Sequence, residues 1–520
     1  MALALLATAC AVATDPDAAA HTRPAMAMVF KLGGPSTAGA RSAGASALAT
    51  AAIAKIQVDV FAGLNRATGT SFSHTLAAVR PRDVQELVLT GVRAGRHMLA
   101  VSVLDSVGGL LGTTDCVFDF TPGVTTVVNV QGVAAGLFLS DANGVCTHAP
   151  NAAGSRHAAD LVIGQADFVS GQTNRGGAAS ASTLATPNAV ASDGTRLAVA
   201  DTGNNRVLLY RSVNDTVATT VVGQADATLV TSGTSRSQFF RPIGITFSGK
   251  RLIVADTGNQ RVVIYNDVTV LPAAGAAADI ILVGPITPTA GPGITPTVPL
   301  SSPTDVAVSG STLAVADSGN NRVLLWDNLP GLFEGKLPDR VLGQVDITST
   351  APNRGATTGA ATFVTPHGVA IFNDRLAVAD SSNNRVLIFN GLSRKLTGAS
   401  ADLAIGQRDF VSGAPRGGST TTNGSGFHSP RFVTFGLDRL FVSENTSDRV
   451  LIFQGLSSLA TGQAASDVLG QPNFTSGNSN NGLNGTRDAF ALRNPRKVTT
   501  AGTDVFVADE GNSRVLGYPF

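Results

Sequence analysis

The chain has 520 residues and a mass of 52.7 kDa, with 57 glycines and only 14% charged residues, which excludes a protein built from long helices with surface ion pairs. Its 37 Lys and Arg residues nearly balance 36 Asp and Glu residues, which argues against a global field for nucleic acid. With 43% hydrophobic residues the chain can bury a core, and the composition favours a loop-rich, mostly β protein.

Residues 1–10 are an apolar run followed by small residues and Cys10. This pattern predicts the end of an export signal, with Cys10 as the acceptor of a lipid. The alternative is a disordered apolar tail, because ten residues cannot span a bilayer that needs about 20. We therefore expect an exported protein of the cell envelope or the extracellular space, an outer-membrane lipoprotein being its anchored form.

The three cysteines make an odd number, which in an exported protein needs an explanation. If Cys10 carries a lipid, Cys116 and Cys146 remain as a candidate disulfide that suits an oxidising compartment. The alternative is a pair of buried free thiols. The sequence has no Cys-x-x-Cys pair and no Cys/His cluster, so a structural metal is not expected.

Three segments precede the main domain. Residues 11–52 are dominated by Ala, Gly, Ser and Thr and predict a flexible linker. Residues 53–140 contain short runs with a period of two, separated by turn residues, which predict a small antiparallel β-sandwich. This sandwich resembles the immunoglobulin-like modules of bacterial surface proteins. A second linker is expected over residues 141–158.

Residues 159–520 contain six copies of one motif, first seen as Leu-Ala-Val-Ala-Asp-Thr-Gly-Asn-Asn-Arg-Val at 197–207. Each copy has the order Pro-x-x-(Val/Ile), the Val-Ala-Asp strand, an Arg-Val-Leu strand and an apolar strand ending near Gly-Gln, which predicts four strands per repeat. The motif arginines lie 55 to 65 residues apart and are Arg206, Arg261, Arg322, Arg385, Arg449 and Arg514.

The repeated Val-Ala-Asp-x-Gly-Asn-x-Arg-Val motif resembles the NHL repeat family of β-propellers over about 360 residues. The resemblance implies an all-β fold, a six-bladed propeller preceded by the immunoglobulin-like sandwich. One Gly-Gln strand comes before the first Pro-x-x-Val strand, and none follows Arg514. We therefore predict that the strand at 160–164 pairs with the C-terminal strand at 514–518 as the outer strand of the last blade, which closes the ring.

Residues that recur in every blade are most simply explained by the fold. Each motif acid ends a strand before a tight turn, where its side chain can accept backbone N–H bonds and the following motif Asn can adopt a left-handed conformation. The arginine five residues later is placed to pair with the acid. These recurring acids are Asp201, Asp256, Asp317, Asp380 and Asp509.

The residue after the first proline of each blade breaks the repetition. In this fold class it begins the innermost strand at one mouth of the central channel, and the six are Asn188, Ile243, Thr304, His367, Arg431 and Arg496. We predict a ligand-binding mouth formed by Asn188, Thr304, His367, Arg431 and Arg496.

Two resemblances bear on a metal at this mouth. Peptidylglycine amidating lyases, which resemble this fold, hold a catalytic zinc with histidines after that proline in three blades. Only His367 matches, so the resemblance implies no zinc and His367 is interpreted as a polar channel residue. Calcium-dependent propeller hydrolases and lactonases need several oxygen ligands, and only Asn188 and Asp305 are obvious candidates. We expect neither metal nor cofactor.

Blades five and six predict a basic sector. Glu444 replaces the motif Asp in blade five, and five cations lie near the neighbouring strand starts, namely His428, Arg431, Arg493, Arg496 and Lys497. Such a sector suits a carboxylate or phosphate ligand, because arginine forks match both groups. The alternative is that these cations pair with Asp488, Glu444 and loop acids.

Long loops rich in Gly, Ser, Thr and Asn lead into each blade and predict a broad polar face around the mouth. We expect a binding or scaffold protein that recognises a protein, peptide or glycan. The alternative is a propeller lyase or hydrolase with a site on His367, Arg431, Arg496 and Glu444, the last as acid or base. Nucleic acid is not expected, because residues 159–520 hold 27 cations and 27 anions.

Overall fold

The computed structural model divides into two compact units, residues 1–155 and 156–520. Side chains are described for residues 157, 159–282, 299–480 and 487–520, and the first unit is described only by its backbone strands. Cys10 lies outside the described residues, as do the side chains of Cys116 and Cys146, so lipidation and the disulfide stay predictions. In the described part of the chain, no helix has the length and apolar character required to cross a membrane.

The described backbone of the first unit contains ten strands in two sheets, in the orders β1-β5-β2-β8-β9-β10 and β4-β3-β6-β7. Their bounds are β1 Ala11–Thr14, β2 Met26–Gly33, β3 Lys55–Phe61, β4 Thr70–Ala77, β5 Val84–Thr90, β6 Gly95–Leu104, β7 Leu110–Phe120, β8 Thr125–Val133, β9 Gly136–Asp141 and β10 Gly144–Cys146. The first two strands fall in the segment predicted as a linker. The immunoglobulin-like sandwich stays a prediction.

The second unit is a six-bladed β-propeller, as predicted, with four strands in each blade. From the innermost strand outward, blade one is β12 Ala189–Ser192, β13 Leu197–Asp201, β14 Arg206–Tyr210 and β15 Thr220–Val222. Blade two is β16 Pro242–Ser248, β17 Arg251–Asp256, β18 Arg261–Tyr265 and β20 Ile280–Leu282. Blade three is β21 Pro303–Ser309, β22 Thr312–Asp317, β23 Arg322–Trp326 and β24 Arg340–Leu342. A short strand, β19 Ala274–Ala276, runs parallel to β15 at the edge of blade one.

The remaining blades repeat this order. Blade four is β25 Pro366–Phe372, β26 Arg375–Asp380, β27 Arg385–Asn390 and β28 Leu403–Ile405, blade five is β29 Pro430–Gly436, β30 Arg439–Glu444, β31 Arg449–Gln454 and β32 Asp467–Leu469, and blade six is β33 Pro495–Ala501, β34 Asp504–Asp509, β35 Arg514–Pro519 and β11 Leu161–Ile163. Single 3₁₀ turns interrupt the connections at Thr173–Gly176, Thr202–Asn204, Thr257–Asn259, Ser318–Asn320, Leu329–Gly331, Pro352–Gly355, Ser381–Asn383, Leu392–Arg394, Pro415–Gly418, Asn445–Ser447, Leu456–Ser458, Ser479–Gly482 and Glu510–Asn512.

The ring closes as the sequence predicts, through a blade that combines both ends of the propeller. The strand β11 pairs antiparallel with β35, so that Leu161 faces Gly517 and Ile163 faces Val515. The earliest strand of the propeller is therefore the outer strand of the last blade. This pairing leaves the C-terminal strand with a partner on both sides.

The hydrophobic core is a ring of six layers, one between each pair of neighbouring blades. The two middle strands of a blade are buried along their whole length, as in β13 and β14. Both faces of such a strand pack against another blade, which is why the sequence there is almost continuously apolar rather than alternating. The polar positions of the motif lie where these strands end.

The recurring acid and arginine form a buried ion pair in every blade, as predicted. In blade one, Asp201 Oδ2 accepts hydrogen bonds from Arg206 Nε at 2.7 Å and from Asn204 Nδ2 at 2.8 Å. The other oxygen, Oδ1, accepts from the backbone N–H of Ala185 at 2.6 Å. The same contact between acid and Nε spans 2.6–2.8 Å in the pairs Asp256–Arg261, Asp317–Arg322, Asp380–Arg385, Glu444–Arg449 and Asp509–Arg514.

The motif turn differs from the prediction in one detail. The left-handed residue is not the motif Asn but the residue after it, for example Asn205 with φ of 52°. The same place has φ of 48–54° in Gln260, Asn321, Asn384, Asp448 and Ser513. The motif Asn is instead held by the acid, to which its side-chain amide donates a hydrogen bond. Side-chain bonding therefore takes precedence over the left-handed preference of Asn.

The Gly-Gln pair at the end of the outer strand has a structural role of its own, whereas the sequence indicated only the end of a strand there. In blade three, Gln344 Nε2 donates to the backbone oxygens of Asn321 at 3.1 Å and Ala351 at 2.9 Å. Gly343 has φ of +87°, and a Cβ there would lie 2.1 Å from the ring of Phe363. The pair thus joins the motif turn to the loop that enters the next blade.

We predict that replacing Gly343 by alanine lowers the free energy of unfolding by about 2–5 kcal/mol, because overpacking costs about 1–3 and left-handed backbone about 1–2 kcal/mol. Gly310 is the control, since it has φ of +57° but no atom within 4 Å of an added Cβ. Gly310→Ala should therefore lose only about 1–2 kcal/mol. Urea unfolding of both variants measures the difference, and equal losses would contradict the role of the Phe363 contact.

Candidate functional site

The innermost strands of blades two to six begin with a β-bulge at the channel mouth, whereas β12 of blade one pairs without one. In β16, Pro242 pairs with Asp256 and Ile245 pairs with Val254, so two residues face a single residue of β17. The strands β25, β29 and β33 shift in the same way, and β21 has a shorter shift after Pro303. A bulge changes the direction of the side chains it contains. In blades two to six the variable residues of the mouth therefore lie where the regular alternation of the strand is broken.

A buried ion pair crosses the channel one residue deeper than Arg496. Lys497 Nζ lies 2.5 Å from Asp305 Oδ1 and donates a second hydrogen bond to the backbone oxygen of Val306 at 3.0 Å. The other oxygen of Asp305 accepts from the N–H of Val369 at 3.0 Å. Lys497 belongs to blade six and Asp305 to blade three, on opposite sides of the ring. The pair therefore bridges the channel beneath the mouth.

Two glycines in the bulges allow the inner strands to come this close. A Cβ on Gly244 would lie 2.4 Å from the Cα of Asp305, and a Cβ on Gly368 would lie 2.5 Å from the Cα of Phe432. Both distances are far below ordinary contact, and backbone atoms cannot move aside as a flexible side chain can. Larger residues at these places would push the neighbouring strands apart.

His367 is held firmly at the mouth and has a free ring nitrogen. Its backbone oxygen accepts a hydrogen bond from Thr304 Oγ1 at 2.6 Å, and its ring meets the Phe432 ring edge to face at 4.9 Å. The residue is 8% exposed, and Nδ1 is buried without a hydrogen-bond partner. Asn188 donates from Nδ2 to the backbone oxygen of Thr186 at 3.2 Å. The side chains of Thr304 and Asn188 thus bond to backbone, whereas His367 retains an unused polar atom.

The cations of the predicted basic sector differ in their partners. Arg496 donates from Nε and Nη2 to Glu510 Oε2 at 3.0 and 2.8 Å, and Lys497 is paired with Asp305. Arg431 has no ionic partner in the described part of the chain, and its Nε is buried without a hydrogen bond. The alternative of paired cations thus holds for Arg496 and Lys497, although with acids other than Asp488 and Glu444.

The other residues of the predicted sector do not join this mouth. Glu444 is fully buried, and its oxygens accept from Arg449 Nε at 2.6 Å, His428 N at 2.6 Å and Ser447 Oγ at 3.0 Å. It therefore takes the structural place of the motif Asp, which leaves it unsuited to act as acid or base. Arg493 is exposed, and its backbone N–H donates to Asp509 Oδ1 at 2.7 Å. No sequence signal separated these structural roles from the unpaired Arg431.

The electrostatics of the mouth keep His367 neutral. Burial lowers the pKa of His367 well below its ordinary value of 6.5, and the charges of Arg431 and Arg496 lower this pKa further. A hydrogen bond with the Arg431 backbone acts in the opposite direction and raises it. Burial also lowers the pKa of Arg431, followed by the charge of Arg496, while Glu510 raises it. A guanidinium stays protonated in proteins. The mouth thus combines a neutral imidazole with one positive charge that no described acid balances.

The residues at the mouth do not assemble into a metal site. Among the residues with described side chains, no group of three or more His, Cys, Asp or Glu is placed to hold a metal ion. Of the two oxygen ligands considered for calcium, Asp305 is bonded to Lys497, and Asn188, whose Nδ2 donates to the backbone of Thr186, offers a single amide oxygen. A calcium ion would need six or more oxygens.

We predict that Lys497→Met lowers the free energy of unfolding by about 3–5 kcal/mol, because it leaves the Asp305 charge buried without a partner. Adding Asp305→Asn to that variant should recover much of the loss, since the uncompensated charge is then removed. The control is Lys250→Met, which removes an exposed partner of Asp267 and should cost less than about 1 kcal/mol. Urea unfolding of the four proteins tests this, and a stable single variant would contradict a buried bridge.

We predict that the ring of His367 titrates well below 6.5 and that Arg431→Gln moves its pKa upward, because one of the two nearby positive charges is lost. The unfolded chain takes up a proton at this residue near 6.5 and the folded protein does not. The contribution of His367 to stability is therefore full above that pH and falls as the pH decreases. Histidine-selective NMR titration, assigned with His367→Gln, measures both values, and an unchanged pKa in Arg431→Gln would refute the proximity.

Comparison with known protein families identifies one repeat. The family model of the NHL repeat matches residues 363–389, which cover most of β25 to β27. No curated protein matches the chain.

Similar solved structures include streptogramin B lyase, with 10% identity over 69% of this chain and 96% of that one and a TM-score of 0.36. Virginiamycin B lyase from Staphylococcus aureus has 9% identity over 83% and 93% with a TM-score of 0.33, and BamB from Moraxella catarrhalis has 12% over 69% and 96% with a TM-score of 0.34. At these values the likenesses carry no argument about activity. The chain thus carries an NHL repeat at residues 363–389, within a six-bladed β-propeller.

Proposed function

We propose that this propeller is a binding protein that recognises a protein, peptide or glycan at the face around the channel mouth. The observation that carries the proposal is the unbalanced charge of Arg431 beside the unpartnered ring of His367. Arg431 is half-buried, and its buried Nε lacks a hydrogen-bond partner, which is costly unless a ligand or a water supplies the contact. The bridge from Lys497 to Asp305 joins opposite blades one residue further along the inner strand of blade six than Arg496.

The loops of this face support the same function, because they are fastened to the blades. Arg206 donates to the backbone oxygens of Ser180 at 2.8 Å and Thr183 at 3.0 Å, both in the loop that enters blade one. Gln165 donates to the backbone oxygen of Gln172 in the same loop at 2.8 Å. A surface that is already ordered loses less conformational entropy when it binds a partner.

An enzyme is the second candidate, and His367 is the observation that favours it. A ring that stays neutral at physiological pH can accept a proton, and Arg431 could stabilise a developing negative charge. Among the described residues, however, the carboxylates at this mouth are those of Asp305 and Glu510, and both are held in ion pairs. A lyase or hydrolase would therefore need its second proton-transfer group from the ligand or from solvent.

Export completes the proposal. A signal ending at Cys10 would place the recognition face outside the cytoplasm, where peptides and glycans of the envelope are accessible. The localisation rests on sequence alone.

We predict that the fluorescently labelled full chain binds a subset of the ligands on a peptide and glycan array. The Arg431→Gln variant should no longer bind these ligands. Arg241→Gln is the control, because Arg241 directly precedes Pro242 at the start of the first strand of another blade and is exposed. Retention without chemical change of the ligand supports binding. Conversion of a retained ligand, followed by mass spectrometry and lost in His367→Gln, would support the enzyme instead. If the full chain binds no array ligand more strongly than an unrelated labelled protein does, the binding function is refuted.

A further inference from the structure

We infer that Asp448 makes the junction between blades five and six sensitive to pH. Its carboxyl group holds the loop that enters blade six more firmly when it is protonated than when it is ionised. The inference concerns the attachment of a loop, and it depends neither on the ligand of the mouth nor on the proposed function.

In three blades the left-handed residue of the motif turn is an asparagine that holds the next loop by two hydrogen bonds. In blade four, Asn384 Oδ1 accepts from the backbone N–H of Ser429 at 2.9 Å, and its Nδ2 donates to the backbone oxygen of Gly413 at 2.9 Å. Asn205 and Asn321 make the same two contacts in blades one and three. The amide thus serves once as acceptor and once as donor, at two points of the loop that leads into the following blade.

Blade five has an aspartate at this place, which reproduces only half of the pattern. Asp448 Oδ1 accepts from the backbone N–H of Asn494 at 2.6 Å, as the asparagines do from their own loops. Its Oδ2 accepts from Ser479 Oγ at 2.8 Å, so both oxygens are acceptors. The residue that corresponds to Gly413, six positions after the glutamine of the Gly-Gln pair, is Gly477. An ionised carboxylate has no proton to donate to a backbone oxygen there.

The surroundings of Asp448 leave its charge without an ionic partner. The residue is 5% exposed, and among the residues with described side chains no cation forms an ion pair with it. The motif arginines on either side are already paired, Arg449 with Glu444 and Arg514 with Asp509. A buried charge without a partner is costly, which favours the neutral form of the carboxyl group.

The titration of Asp448 runs in the direction that the geometry indicates. Burial raises the pKa of Asp448 above its ordinary value of 3.8, and the charge of Asp509 raises it further. The hydrogen bonds from Asn494 and Ser479 and the charge of Arg493 act in the opposite direction. Since the pKa in the folded protein exceeds that of the unfolded chain, the contribution of this group to stability is full below 3.8. It is lost as the pH rises through the pKa of the folded protein.

A proton on the carboxyl group makes Asp448 the counterpart of the asparagines. The group keeps an acceptor for Asn494 and gains one O–H donor for the loop, as the amide has in the other blades. Protonation also removes the unpaired buried charge. Because Asn494 directly precedes Pro495 and Arg496, the same loop carries the blade-six side of the mouth. A fall in pH should therefore fix that side of the face more firmly.

The test is hydrogen exchange of the full chain, followed by mass spectrometry and corrected for the intrinsic effect of pH on exchange. Peptides covering residues 471–480 report on Asp448, and peptides covering the corresponding residues 407–416 report on Asn384. The pH is lowered from about 7 towards about 4, the ordinary range of a carboxyl group. In the natural protein we expect residues 471–480 to gain protection relative to residues 407–416 as the pH falls.

Two reciprocal variants make the assignment specific. Asp448→Asn should slow the exchange of residues 471–480 about 2- to 10-fold at neutral pH, the range for one gained hydrogen bond, and should abolish their extra gain of protection in acid. Asn384→Asp introduces the same carboxyl group into blade four. It should speed the exchange of residues 407–416 at neutral pH and make that exchange dependent on pH. Thermal unfolding of each variant checks that the fold is kept.

The outcomes decide the inference in either direction. Unchanged or faster exchange of residues 471–480 in Asp448→Asn at neutral pH would overturn it, and so would a pH dependence that persists in this variant. If Asp448→Asn does not fold, Asn384→Asp decides, because a folded variant without a new pH dependence in blade four contradicts the inference. None of these results alters the outcome of the array experiment, so the two proposals fail or stand separately.

Discussion

The propeller depends on one interaction, the buried pair between the motif acid and the arginine five residues later. In blade one the pair has no exposed surface, and the arginine donates from Nη1 to Ala227 in the loop that leaves the blade and from Nη2 to backbone oxygens of the loop that enters it. The acid meanwhile accepts a hydrogen bond from the backbone of that same loop. Each pair thus joins two middle strands to the connection that leads inward. A buried pair is tolerated when its remaining hydrogen bonds are satisfied, which is the arrangement here.

Because these pairs hold the blades together, the residues of the mouth can differ from blade to blade. The fold is carried by turn residues and by the Gly-Gln device, and these recur with little change around the ring. The residues in the bulges share no such structural role. One bridge uses Asp305 and Lys497 across the channel, Arg496 is tied to Glu510, and Arg431 remains unbalanced. A site can therefore arise by substitution at a few bulge positions without disturbing the blades.

The repeated parts of the structure could be predicted from sequence because repetition reveals them. The acid, the arginine and the closure through residues 160–164 each follow from the pattern, and the structure confirms them. The pairing of the mouth charges could not be predicted. Lys497 and Asp305 are 192 residues apart, and only the geometry of the ring brings opposite blades together. Likewise Glu444 looked like an exception in the pattern, yet it keeps the structural role with a longer side chain.

The seam blade has a consequence for folding during synthesis. Its outer strand is made first and its other three strands are made last, so the contact between Leu161 and Gly517 waits for nearly the whole propeller to emerge. Until then the apolar faces on either side of the seam have no partner, and contacts between such distant parts of a chain form slowly. The growing chain is consequently most exposed to aggregation just before it is complete, when five blades are stacked and the sixth is missing.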